Sequence, residues 1–429
     1  MAKQTPAFIT TTYTQSQTTD NMNECTPITH CLACGSSDLT LTLDLGKQAL
    51  ANNCIDDLQI DEPEFPLAVN RCEHCNHLQL THVVDPALIY THYLYVSGTS
   101  KTGRDHFEWF ARFAQEYVQE LDKGKTKAVL DIGCNDGTQL DYFKSLGFGT
   151  YGIDPAENLY ATSSKNHRIY CDFFDTELVD QLESNMYPDI IVAQNSFAHN
   201  PDPLLYLTNL KRLMDDNSRF FIQTSQADMV LNDEFDTIYH EHVNFYNINS
   251  MNELCKRAGL ELVDVVKTPI HGTSYIFIVG KTGGRPAHIA NLIANEAQLM
   301  DPATYHRWAG NVYALMTELQ GTIEKAKLSG YELIGYGAAA KGNTLLNSAK
   351  IKLDAIIDDN PLKQGLYSPG MNVPIVRPEW IDSYKPSDKI MFVPLAWNFY
   401  KEIKNRILVR RSNPHDRFVR YFPEVKVEE

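Results

Sequence analysis

The sequence predicts an α/β protein built around a doubly wound parallel sheet, and three observations carry that prediction. The run from Lys127 to Ile132 reads as a strand leading into Gly133-Cys134-Asn135-Asp136-Gly137 and then a helical pattern. Further short apolar runs, at 149–153, 168–170, 190–193 and 219–223, mostly alternate with helical ones. That alternation implies parallel strands joined by right-handed crossovers. A second strand–glycine–helix unit, YELIGYGAAAKGNTLLN, begins after Gly330 and is followed by LDAIIDDNP, a strand ending in Asp358-Asp359.

Length and composition frame these elements. A chain of 429 residues exceeds one ordinary core, so two or three domains are expected. Residues 1–24, rich in Thr, Gln and Asn, read as a disordered tail with no secretory h-region. Residues 25–100 form a cysteine-bearing domain, 101–284 the central α/β domain, and 285–429 a helical stretch with the second α/β unit. An amphipathic helix is expected over Arg104 to Asp122, with Phe107, Phe110, Phe113, Tyr117 and Leu121 three and four residues apart. The formal charge of −16 argues against binding nucleic acid through its phosphate backbone. No run of 18 apolar residues exists, so no membrane span is expected, and nine cysteines suit a reducing cytoplasm. A monomer or weak homo-oligomer is expected.

Cys31-Leu-Ala-Cys34 and Cys72-Glu-His-Cys75 are two C-x2-C pairs. Each offers two thiolates to one tetrahedral ion, so together they predict a structural four-cysteine zinc site. Gly35 and Asn76, after the two pairs, tolerate the left-handed backbone such turns use. His74, His77 and His82 are read as surface or packing residues, not ligands.

The central turn, D-I-G-C-N-D-G, has an acid before its first glycine. A dinucleotide's pyrophosphate wants an uncharged turn at a helix N-terminus. An acid suits a cofactor with no phosphate and a cationic amino-acid end, which is S-adenosylmethionine. Asp131 is expected near its amino group, with Gly133 and Gly137 making room. Asp154, 17 residues beyond Gly137, is expected to receive the ribose hydroxyls, and Asp172 to face the adenine. Asn135 and Asn195 complete the expected cofactor set. About a hundred residues further on, Tyr239-His240-Glu241-His242 gathers proton-handling groups. A cofactor site followed by such a cluster points to an enzyme that also removes a proton.

The chain resembles the S-adenosylmethionine-dependent C-methyltransferases that act on nucleotide-linked 4-keto-deoxysugars. The resemblance rests on the paired knuckles with LDLGKQALAN and FPLAVNRCEHCNHLQL, then YLYVSGTS, VLDIGCNDGTQL, IYHEHVNFYN, GYGAAAKGNTLLN, DDNPLKQGLYSPG and LAWNFYKEI. It covers nearly everything after the tail. It implies a zinc-binding N-terminal domain, a central Rossmann-like methyltransferase domain, and a C-terminal Rossmann-like domain that holds the nucleotide sugar. It places the base on His242, with Glu241 orienting it or relaying the proton and Tyr239 bonding the keto oxygen. His199 and Asn195 fall at further active-site positions, and Tyr93 or Tyr95 closes the pocket. His240 points away and packs.

Gly335, Gly337, Lys341, Gly342 and Asn343 are read as diphosphate and sugar contacts, and His271 as a substrate neighbour. Two segments depart from the family pattern. His271-Gly272-Thr273-Ser274-Tyr275 stands for a His-Gly-Gly-Ser segment followed by arginine, and Gln194-Asn195 stands for paired asparagines. Two rival readings stand beside this one, an O- or N-methyltransferase on another acceptor and a zinc-containing RNA-binding or scaffold protein with a vestigial α/β domain; the acidity of the chain speaks against the second.

Overall fold

The computed structural model describes residues 24–91, 95–119, 127–183, 186–226 and 228–429. The expected tail and Tyr93 therefore lie outside the described residues. The central sheet has seven strands, and its middle strand, Ala128–Ile132, lies between Ile190–Gln194 and Gly149–Ile153. Arg168–Tyr170 closes one side, and Arg219–Thr224 pairs with Ile190–Gln194 on the other. These five strands are mutually parallel. Beyond them lies an antiparallel pair, Glu261–Thr268 and Ser274–Gly280, which the sequence pattern did not single out.

Residues of the strand Ile190–Gln194 alternate between two cores. Ile191 and Ala193 face one apolar layer, and Ile190 and Val192 the other. Burial on both faces is what makes such strands read as continuous apolar runs. The amphipathic helix covers Lys101–Gln119, so it begins three residues before the expected start; residues 120–126 are outside the description. Asn247 caps the helix Ile248–Ala258 with a reciprocal side-chain bond to Ser250, and Gly259 ends it in the left-handed region.

The second α/β unit is a six-stranded sheet. Its strands run Ile375–Val376, Ala355–Ile357, Glu332–Tyr336, Ile390–Pro394, Arg417–Arg420 and Lys426–Glu428, and only the last is antiparallel. The N-terminal region forms an antiparallel sheet from Leu39–Ala49, Glu64–Cys72 and Leu78–Leu80, and its fourth strand is Asn244–Phe245, from the middle of the chain. Leu43, Val69, Phe235, Ile238, Trp308 and Leu345 share one core, so the three regions pack as one body around residues 235–245. Among the described residues, no helix is long and apolar enough to cross a membrane.

Candidate active site

A cavity of about 550 Å³ lies at the carboxyl edge of the central sheet and is walled by all three regions. That position and size are those of ligand sites in doubly wound folds. At one end stands the first glycine turn. Gly133 adopts φ +83°, and a Cβ there would lie 2.5 Å from that of Ser196, so only glycine fits. Asp154 accepts the N–H of Asn135 at 2.8 Å and of Ala156 at 2.9 Å, which fixes its carboxylate on the cavity wall. Burial holds the Asp154 carboxyl above the usual range. Asn195, held at φ +58° beside it, has a buried Oδ1 with no partner among the described residues. Asp172 stands exposed at the rim.

Two expected cofactor residues lie behind this wall. Gly137 caps the helix Thr138–Ser145, and a Cβ there would press on His167 and Ser163 at 3.1 and 3.3 Å. Asp131 is buried at the strand end, and burial with Asp154 and Asp136 nearby pushes its carboxyl up to about 8. A cationic group bound above it would favour its charged form. Carboxylates, an unpaired amide oxygen and a glycine cradle, with no Lys or Arg beside them on the wall among the described residues, fit S-adenosylmethionine.

Across the cavity, His242 is buried. Its Nδ1 lies 2.8 Å from the Thr237 carbonyl, which can only accept, so Nδ1 carries the hydrogen. Nε2 is then the acceptor, and Tyr239 donates its hydroxyl to it at 2.9 Å. Burial drives the His242 pKa well below its usual value, and the nearness of His199, Lys341 and His271 disfavours its charged form further. The ring is therefore neutral near pH 7, with its Nε2 lone pair taken up by the Tyr239 hydroxyl, and both side chains line the cavity. His199 packs against His242 at 5.2 Å and stacks on Tyr90 at 5.5 Å. Its Nε2 has no partner among the described residues, and burial lowers its pKa to about 4.

Glu241 does not orient this ring. Its Oε1 accepts from Asn52 Nδ2 at 2.6 Å, away from His242, and the Thr237 carbonyl holds the place expected for it. His240 packs away from the cavity, its Nε2 3.2 Å from the Phe65 carbonyl.

The second glycine turn lines the same cavity. Gly337, at φ +90°, and Lys341 line the cavity. Lys341 Nζ donates to the His271 carbonyl at 3.1 Å and lies over the Trp397 ring. His271 is on the wall, and burial lowers its pKa to about 3. Three other residues expected to touch substrate do not reach the cavity. A Cβ on Gly342 would lie 2.5 Å from that of Leu395, and one on Gly335 would meet Leu353 and Leu395, so both serve helix–strand packing. Asn343 is buried on the same helix.

The four cysteines of the knuckles converge, with all their sulfurs within 4.8 Å of one another. Cys31 and Cys75 sulfurs are 3.6 Å apart, and those of Cys34 and Cys72 3.5 Å. Bonds of about 2.3 Å at tetrahedral angles would set ligand sulfurs about 3.8 Å apart, so the cluster fits zinc. Four thiolates leave no open position, which makes the site structural.

Family comparisons divide the chain along these lines. Residues 31–90 match a family described as "Putative zinc binding domain", 104–265 a "Methyltransferase domain", and 269–423 a "C-methyltransferase C-terminal domain". The chain is an S-adenosylmethionine-dependent methyltransferase, and its C-terminal region is similar to that of C-methyltransferases. The methyltransferase is 28% identical to the C-methyltransferase NovU of Streptomyces niveus over 391 residues, covering 88% of this chain and 91% of NovU. A ubiquinone biosynthesis O-methyltransferase of Coxiella burnetii matches at 25% over 174 residues, 36% of this chain and 72% of that enzyme. Among solved structures, the plantazolicin methyltransferase BpumL in complex with SAH is similar over 42% of this chain and 86% of that one, at 16% identity and a TM-score of 0.34.

Of the residues singled out from sequence, Gly133, Asn135, Asp154, Asp172, Asn195, His199, Tyr239, His242, Tyr95, His271, Gly337 and Lys341 face the one cavity. Sequence reasoning missed Thr237, Asn52, Tyr90, Asp358 and Lys363. The acid of DDNP, ending a strand after a glycine turn, could have pointed to Asp358; Asn52 and Tyr90 carry no local signal.

Proposed function

We propose that this methyltransferase alkylates carbon, at C3, of a nucleotide-linked 4-keto-deoxysugar. The observation that carries the reading is that the cofactor turn, a neutral His242 paired with Tyr239, and a second glycine turn bearing Lys341 share one cavity. A carbon beside a ketone becomes a nucleophile only by losing a proton. His242 Nε2 takes that proton, and the C–H electron pair becomes an enolate. Tyr239 turns its hydroxyl from Nε2 to the keto oxygen, which frees the lone pair and stabilises the developing charge. When bound, S-adenosylmethionine supplies an electrophilic methyl group. The turn at Gly337 holds the nucleotide and presents the sugar, and His199 and Asn195 complete the wall around the reacting carbon. A reducing cytoplasm, which keeps the knuckle thiols free for metal, belongs to the same proposal.

His242→Ala should leave binding of both ligands nearly intact and cut turnover roughly 10²–10⁴-fold. Wild-type enzyme with an unreactive cofactor analogue should wash deuterium from solvent into the acceptor carbon, and the variant should not. Near-normal turnover in the variant would sink the assignment. Because the folded pKa of His242 is depressed, the base form is present at neutral pH and lost only as pH falls through that lowered value. The acid limb of kcat/KM should lie below the ordinary histidine pKa of about 6.5; a limb at that value would give the base role to an exposed group.

A further inference from the structure

The segment that follows His242 is stitched to the four-cysteine cluster. Leu80 N–H donates to the Val243 carbonyl at 2.9 Å, and Asn244–Phe245 pairs with Leu78–Leu80, the strand just after Cys75. Asn247 Nδ2 donates to the Asn76 carbonyl at 2.7 Å, and Asn249 Nδ2 to that of Cys75 at 3.2 Å. Gln79, opposite Asn244 in the ladder, accepts from Leu32 N–H at 2.8 Å and donates to the His30 carbonyl at 2.9 Å. The first knuckle is thus bonded to the strand against which residues 243–245 lie, and the second to the segment that follows them.

His77 stands at the centre of this stitching and is fully buried. Asn244 Nδ2 donates to the Asn200 carbonyl at 2.7 Å, so its Oδ1 is the atom 3.1 Å from His77 Nε2. An amide oxygen only accepts, so His77 Nε2 carries the hydrogen. The relay runs from the second knuckle through His77 and Asn244 to Asn200. Asn244 is two residues after His242, and Asn200 follows His199 directly.

We propose that His77 is a positioning residue for methyl transfer: acting through Asn244, it sets where His242 and His199 stand, and makes the zinc knuckle a brace for the catalytic segment. The inference rests on the reading of His242 as the base. Its physical basis is that a displacement of about 1 Å in a reacting group can cost about 10²-fold in rate, even when the change lies far from the chemistry.

The test compares His77→Leu, which removes the donor at similar volume, with His77→Gln, whose amide N–H can take the place of Nε2–H. Both are measured as zinc-loaded protein. The readouts are zinc per chain, S-adenosylhomocysteine affinity by calorimetry, the ring 15N shifts of His242 and His199, and turnover of a nucleotide-linked 4-keto sugar. His77→Leu should keep zinc and cofactor affinity while the ring signals move and kcat falls about 10- to 100-fold with KM little changed. His77→Gln should restore both signals and kcat. Wild-type ring signals in His77→Leu would overturn the proposal, as would a zinc-bound His77→Gln whose signals stay displaced. If His77→Leu loses zinc or fails to fold, Asn244→Ala breaks the relay from outside the knuckle, and unchanged ring signals there overturn the proposal too. Absence of turnover in the wild type would count against the substrate reading, whereas the ring signals still decide the brace.

Discussion

The two glycine turns that face the cavity are built alike and equipped differently. Gly133 N–H donates to the Ile153 carbonyl at 2.8 Å, and Gly337 N–H to the Ile357 carbonyl at 2.7 Å. Asp154 accepts from Asn135 and Ala156; Asp358 accepts from Ala338 at 2.6 Å and Asn360 at 2.7 Å. Each acid ends the strand next to its glycine turn, where a doubly wound fold receives ribose hydroxyls. The side chains around the two turns then diverge. Among the described residues, the lysines and the arginine on the cavity wall, Lys341, Lys363 and Arg406, all come from the C-terminal region. Among the described residues the first turn has no Lys or Arg on the wall beside it, and has Asp154 and Asp172. The backbone device is thus shared and the charge around it differs, which is the contrast the proposed reading uses: a cationic, phosphate-free cofactor at the first turn and an anionic nucleotide at the second.

Removing the matched acids is the strongest way to break this comparison. Asp154→Ala should weaken S-adenosylhomocysteine binding by one or two charge-assisted hydrogen bonds, roughly 1.5–3 kcal/mol each. Asp358→Ala should leave that affinity unchanged and raise KM for the nucleotide sugar. Calorimetry finding equal cofactor affinity in both variants would end the assignment of the two ends.

A smaller effect is expected from the glycines. Alanine at either position carries left-handed strain of roughly 1–2 kcal/mol. At Gly133 the new Cβ also overlaps Ser196 at 2.5 Å, whereas at Gly337 the nearest atom is 3.5 Å away, an ordinary contact. Gly133→Ala should therefore lower thermal stability and cofactor affinity more than Gly337→Ala lowers stability. Melting temperatures in the reverse order would refute the packing account.

The smallest change should follow Asp172→Asn. Its carboxylate is exposed at the rim, so screening by solvent should limit the loss of cofactor affinity to about 1 kcal/mol or less. A loss as large as that of Asp154→Ala would mean that the rim closes over the ligand when it binds.

Local signals were legible in the sequence because they report local geometry. The C-x2-C pairs, the glycines with positive φ and the acids that end strands stand within a few residues of the features they serve. Such spacing also gathered the ionisable side chains of the Tyr239-to-His242 run, of which Tyr239 and His242 line the cavity. It could not separate Gly337, which lines the cavity, from Gly342, which lets a helix approach Leu395. Both are glycines in one short motif, and only the facing strand distinguishes them.

The sequence by itself determined the α/β class, the four-cysteine cluster, the first glycine turn and which ionisable residues stand together from Tyr239 to His242. Covalent neighbours and backbone sterics suffice for each of these. Tertiary structure alone decided what holds the cluster. The Thr237 carbonyl, not Glu241, sets the tautomer of His242, because the turn from Thr237 to His242 folds the chain back on itself. Glu241 is instead turned toward Asn52, 189 residues away in the chain, and Tyr90 arrives from the N-terminal region to stack on His199. The strand Asn244–Phe245 leaves the central region to complete the knuckle's sheet. Contacts between such distant segments depend on how whole cores pack, and no local pattern of residues encodes them.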